Sequence, residues 1–352
     1  MRIISQIVPD GNPVATNIEA TRQPGINTWE LPAWGRPLAL GVYPCFITKN
    51  RSLIPVGTTF CISKLGISLT ALHNIREAVR HHLNEDFPGK MESLPDHSAR
   101  KDIGMAVFHH KVLHGKSFSG NMLNVTFIAA SPTTDVCYLS PQFQSGSPYL
   151  PLPISLAIPR IGSRVVCAGF SDLSVQNGSL SPDDIQGGRI SLLEMYKHKF
   201  LAVEGRVTRI FTRRFADGFI GGPCFTINAA TNHGLIGGPV FSENGYVCGV
   251  VSADATNFFG EPANVVSLLY PALLMNIKFE RQSGPVRVKS NLRLTDLIAQ
   301  GTVITDGTEK LITIDQEGGA SSLNPAFHGE DADHLFDDFA SFQEGRQTAA
   351  GI

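Results

Sequence analysis

Three separated segments of the 352-residue sequence hold residue types that can carry acid–base or acyl-transfer chemistry. Leu69-Thr70-Ala71-Leu72-His73-Asn74 ends an apolar run on a histidine, and imidazole suits a general base near neutral pH. Pro132-Thr133-Thr134-Asp135-Val136-Cys137-Tyr138-Leu139 opens an apolar run on an aspartate. A carboxylate can fix an imidazole tautomer and stabilise its cation. Asn232-His233-Gly234-Leu235-Ile236-Gly237-Gly238-Pro239-Val240-Phe241 is rich in glycine. Such a run turns tightly and can aim amide N–H groups at a developing oxyanion.

Other residues compete for the same roles. Asp102, in Lys101-Asp102-Ile103-Gly104-Met105, also precedes an apolar run, but using it leaves the strand near Asp135 unexplained. Gly218-Phe219-Ile220-Gly221-Gly222-Pro223-Cys224-Phe225 mimics the later glycine turn and offers Cys224 as a thiol nucleophile. No Asn-Gly hairpin follows it, so Cys224 reads as structural. Ser242 lies beyond the turn and His233 just before its centre. His109, His110 and His114 suggest a metal site, but adjacent residues of a strand point to opposite faces. No cysteine pair has metal-ligand spacing, and no metal or cofactor is expected.

The elements that must position these residues are short strands. Candidates are Gly41–Ile47, Gly57–Ile62, Ile67–Ala71, Gly104–Phe108, Leu123–Ile128, Val136–Leu139, Arg164–Phe170 and Ala202–Ile210. A hairpin joins Pro239–Phe241 to Tyr246–Val251 through Ser242-Glu243-Asn244-Gly245, and Asn-Gly is a strong hairpin signal. Helices are expected at 74–83, 268–275 and 292–301. Many short strands with turn signals between them predict an all-β barrel or sandwich.

The order His, Asp, glycine turn, each in its strand context, resembles the chymotrypsin-like and trypsin-like serine proteases, especially bacterial trypsin-like peptidases. Those carry Thr-Ala-x-His, Asp-hydrophobic and Gly-x-Ser-Gly-Gly-Pro motifs. The resemblance spans residues 38 to 275 and implies two six-stranded β-barrels. It implies His73 as base, Asp135 as its partner, and an oxyanion hole from the backbone N–H groups of Gly234 and Ile236. Aligned on Gly234, Gly237, Gly238 and Pro239, the nucleophilic serine is replaced by Ile236. Isoleucine has no atom that can attack a carbonyl. A primary-specificity cavity would draw on residues 226–234 and Val250–Ala253, with Asp254 as a solvated loop residue.

The remaining composition sets the frame. Net charge is −2, from 29 basic and 31 acidic residues, which argues against a nucleic-acid or membrane-surface protein. Neither an N-terminal apolar signal nor a run of 18 apolar residues is visible. The six cysteines sit in apolar strand-like runs and read as buried thiols. A cytoplasmic location is therefore expected. The expected divisions are a lead-in (1–37), a protease-like domain (38–276, split near 150–160), an extension (277–314) and an acidic tail (315–352). The tail holds eight acids against Arg346 alone, a composition that predicts disorder. Leu335, Phe336, Phe339 and Phe342 have helical spacing within it, so residues 330–344 are also a candidate docking peptide. The expected partner class is a protein or peptide.

Overall fold

A computed structural model describes residues 21–22, 28–31, 37–49, 52–83, 103–112, 118–131, 133–141, 150–175, 196–215, 220–229, 233–283, 286–314, 320–322, 335–336 and 339–349. Strands dominate, as the short apolar runs with turn signals between them predict. The first barrel contains β3 (Val42–Lys49), β4 (Ser52–Cys61), β5 (Ser68–Ala71), β6 (Ile103–Val112), β7 (Phe118–Ala130) and β8 (Val136–Pro141), after the short N-terminal strands β1 (Thr21–Arg22) and β2 (Thr28–Leu31). Its order is β3-β4-β5-β8-β7-β6, closed by antiparallel pairing of β3 with β6. Tyr43, Cys45, Ile47, Val107, Leu123, Ile128 and Leu139 fill it.

The second barrel contains β9 (Arg164–Val175), β10 (Tyr196–Phe211), β11 (Cys224–Ile227), β12 (Pro239–Phe241), β13 (Val247–Asp254) and β14 (Asn264–Leu268). The ring runs β10-β11-β14-β13-β12-β9 and closes through β9 with β10. Closure removes open sheet edges. The chain is thus the expected all-β double barrel. β10 is long enough to take β9 along one edge while β2 and then β11 share the other. The lead-in therefore adds the β1–β2 ribbon to the second barrel.

Residues beyond the barrels pack back on them. A 3-10 helix (Tyr270–Leu274) stands where 268–275 was expected to be helical, and Tyr138 Oη donates to its Ala272 carbonyl at 3.2 Å. A hairpin of β15 (Asn276–Ser283) and β16 (Val286–Arg293) leads to helix Leu294–Ala299. Lys64 N donates to Thr302 O, and Ile154 N to Ile304 O, at 2.8 and 2.9 Å. The extension is thereby joined to a turn of the first barrel and to the segment crossing between barrels. β17 (Ile312–Ile314) pairs with β18 (Ala320–Ser322).

Within residues 315–352, for which composition predicts disorder, the structure places β18, β19 (Leu335–Phe336) and helix Phe339–Ala349. β19 pairs parallel with Ile210 and Phe211 of β10. Phe342 is buried among Phe211, Phe215 and Phe259. The apolar surface that Phe342 packs on lies far away in sequence. All six cysteines are free and buried. Among the described residues no helix is long and apolar enough to cross a membrane.

Candidate active site

His73 and Asp135 meet because their strands are neighbours. Ala71 of β5 pairs with Val136 of β8, so the residues just beyond this end of the ladder emerge together. Leu72 N donates to the Asp135 carbonyl at 2.9 Å. His73 N donates to Asp135 Oδ1 at 2.8 Å, and His73 Nδ1 lies 2.7 Å from Asp135 Oδ2. The carboxylate thus grips both the backbone and the ring of one residue. This assigns the Nδ1–H tautomer and leaves Nε2 as the basic nitrogen. Asp135 is 5% exposed and His73 17%. Burial pushes the imidazole down, but the Asp135 charge and hydrogen bond, helped by Glu77 and opposed by Arg76, leave it above its ordinary value.

The glycine turn is clamped from both barrels. Gly237 has φ 87°, and a Cβ there would lie 2.1 Å from Thr58 O and 2.3 Å from Thr70 Oγ1. Only glycine fits both the conformation and the space. Gly237 N donates to Val251 O at 2.7 Å, and Val251 N returns a bond to Gly238 O at 2.9 Å. Thr58 N donates to Ile236 O at 2.9 Å, and Asn74 Nδ2 reaches the same carbonyl at 3.2 Å. Thr58 Oγ1 donates to Gly234 O at 2.6 Å and accepts from Phe170 N at 2.9 Å.

These bonds bring the three expected positions together. Asn74, the residue after His73, holds the carbonyl of Ile236. The Ile236 side chain is 6% exposed and belongs to the large core cluster with Leu235. The turn enters through a 3-10 helix, His233–Leu235. Gly238 N donates to Leu235 O at 2.9 Å and closes the turn.

The competing candidates fall elsewhere. Cys224 is buried in β11 opposite Phe211 and Ser267, and burial, with the Asp135 charge, pushes its thiol up. A buried thiol of that kind does not supply a thiolate. Ser242 Oγ donates to Tyr246 O at 3.2 Å and serves the hairpin. Asp254 is exposed, and its carboxylate caps Thr256 N at 2.8 Å. His109 is buried and meets Tyr43 edge-to-face at 5.3 Å. Asp102, His114 and residues 230–232 lie outside the described residues, as does the His233 side chain. Among the described residues no three His, Cys, Asp or Glu side chains cluster as a metal would need.

Thr58, Thr70 and Asn74 are positioning residues. Thr58 and Gly234 are 176 residues apart, and no local motif marks such a bond. The one signal was the placement of Asn74 directly after the histidine.

The family model of the trypsin-like peptidase domain matches residues 57–250, more than half of the chain. The chain belongs to this family. No curated protein matches it. Among solved structures, this peptidase-family chain is similar to the Rv3671c protease from M. tuberculosis. The active form is 18% identical, with 70% of this chain and 87% of that chain covered and a TM-score of 0.37. For the inactive form the values are 18%, 68%, 91% and 0.37. Deg5 is 15% identical, with 62% of this chain and 81% of that chain covered and a TM-score of 0.38.

Proposed function

We propose that this trypsin-like peptidase homologue binds a peptide or protein segment without hydrolysing it by the serine mechanism. The observation that carries the reading is Ile236. It occupies the nucleophile position of a turn that is otherwise complete, beside a paired His73 and Asp135. Loss of the serine from a triad costs on the order of a millionfold in turnover. The His73 base has no hydroxyl proton to take at that position.

Binding is supported by the shape of β13. β12 pairs with β13 only as far as Val250, and β14 covers the opposite edge out to Asp254. The edge from Ser252 to Asp254 therefore faces the site side without a strand partner among the described residues. An extended peptide can add to such an edge.

A second reading treats this copy as a recent loss from an active endopeptidase line. The retained His73–Asp135 pair favours it, and a serine-to-isoleucine change needs a single base. A fluorophosphonate probe and a peptide-library assay test both readings. The wild-type chain is expected to remain unlabelled and inactive. His73-dependent labelling of the wild-type chain would sink the non-hydrolytic reading. Ile236→Ser with labelling and cleavage would support the recent-loss reading, and a folded but inert Ile236→Ser protein would count against it.

A further inference from the structure

The C-terminal segment meets the second barrel at one slot. Arg209 and Phe211 come from the end of β10, and Phe259 from the helical turn Thr256–Phe259. Phe342 fills the space between them. Its ring lies 6.1 Å from Phe211 and 5.5 Å from Phe259, both edge-to-face. The Arg209 guanidinium carbon stands 5.0 Å from the Phe342 ring centre and 4.4 Å from that of Phe259. This combines edge-to-face packing with a cation over two rings. Glu261 holds Arg209 Nη2 at 3.2 Å, while Nη1 is buried with no hydrogen-bond acceptor among the described residues.

The slot connects inward. The same apolar cluster contains Cys224, Ala253 and Ala255. Cys224 is close enough to Asp135 to feel its charge. Ala253 follows Val251 by two residues, and Val251 O holds Gly237 N. Ala253 and Asp254 also form the unpaired edge of β13. Phe342 therefore packs on the loop that continues from this edge.

Among the helix side chains whose burial is described, Phe342 is the buried one. Phe342 is 8% exposed, whereas Ala340, Ser341, Glu344, Arg346 and Gln347 on the same helix are exposed. β19 adds two paired residues. The segment is acidic in sequence, with Asp337, Asp338 and Glu344 around the ring-bearing residue. The turn after β10 exposes Arg213 and Arg214 beside the slot. A segment held through two strand pairs and a buried ring opens more readily than a barrel strand.

We propose that the Arg209–Phe211–Phe259 slot is a docking site for an aromatic residue carried by an acidic segment. Residues 335–349 are its resident occupant, bound in cis and exchangeable, and their occupancy orders the 254–263 loop. The proposal stands without the peptide-binding reading, because neither half of its test uses the cleft.

The test uses the full chain carrying Phe342→Ala and a labelled synthetic peptide of residues 330–352, with anisotropy and amide exchange as readouts. The variant is expected to bind the wild-type peptide at least about tenfold more tightly than the Phe342→Ala peptide, the usual scale for a buried aromatic anchor. The wild-type chain, whose slot is filled, is expected to bind it at least about tenfold more weakly than the variant does. Added salt weakens the interaction. Amides of 254–263 exchange faster in the variant and slow again with peptide. Arg209→Gln in the full chain gives the same loosening of 254–263. The proposal is overturned if the variant does not distinguish the two peptides or if 254–263 exchange is indifferent to occupancy. Failure of Phe342→Ala to fold also overturns it, since an exchangeable occupant is not required by the barrel.

Discussion

Thr58→Val isolates the bonds that clamp the glycine turn. Valine keeps the shape of threonine and the Thr58 backbone N–H bond to Ile236 O, but removes the hydroxyl. Thr58 is fully buried, so water does not replace what is lost. Phe170 N–H, also fully buried, loses its acceptor at 2.9 Å, and the half-buried Gly234 O loses its donor at 2.6 Å. An orphaned buried donor costs about 1–3 kcal/mol and a net hydrogen bond about 1 kcal/mol, so the expected loss is about 3 kcal/mol. Urea unfolding measures it as a lower midpoint at unchanged slope. Thr59→Val is the comparison. It removes one bond, Thr59 Oγ1 to Leu69 O at 2.7 Å, and leaves the turn alone. Amide exchange at Phe170 should accelerate in Thr58→Val and stay constant in Thr59→Val. A Thr58→Val loss below about 1 kcal/mol, or equal exchange at Phe170 in both variants, would refute the clamp.

Other outcomes follow from the same geometry. Gly237→Ala should cost more than about 3 kcal/mol by thermal or urea unfolding, since it combines left-handed strain with contacts near 2 Å. Gly162→Ala, at φ 83° with nothing within 4 Å, should cost only about 1 kcal/mol. NMR titration should place His73 above the ordinary imidazole value, and Asp135→Asn should bring it down. The linkage has a definite sign. His73 is raised on folding, so its contribution is full below the unfolded value of about 6.5 and is lost as pH rises through the folded value. Asp135→Asn should flatten that decline in stability. Finally, a thiol reagent should react slowly with the native protein and fully after denaturation. Burial pushes Cys45, Cys61 and Cys248 up to about 12 and raises the other three as well.

The double barrel was legible because each strand announces itself locally. Runs such as Arg164–Phe170 are near-continuous apolar stretches of strand length, and Asn244-Gly245 marks its hairpin without reference to distant residues. His73 and Asp135 could be named for the same reason, each sitting at the end of a recognisable apolar run. The residues that clamp the turn were not legible. Thr58 and Thr70 look like ordinary strand threonines, and their roles exist only once β4, β5 and the turn converge. The contacts of residues 335–349 are illegible for a related reason. The acids of this segment argue for solvation, whereas Phe342 finds Arg209, Phe211 and Phe259 only after the second barrel has formed. Composition sees the charges and is blind to the slot.

The bond from Thr58 to Gly234 has a consequence for how the molecule is made. It closes a loop of 176 residues, and Asn74 to Ile236 closes one of 162. Contacts of that separation repay their closure entropy only after the intervening chain has condensed. Neither barrel holds the turn alone, because the first supplies Thr58 and Asn74 while the second supplies Val251 and Phe170. Synthesis from the N-terminus completes the His73–Asp135 pair first and leaves it exposed while the second barrel is still emerging. The clamp is then a late event in maturation, and protection of the Gly237 amide marks the moment the two halves become one molecule.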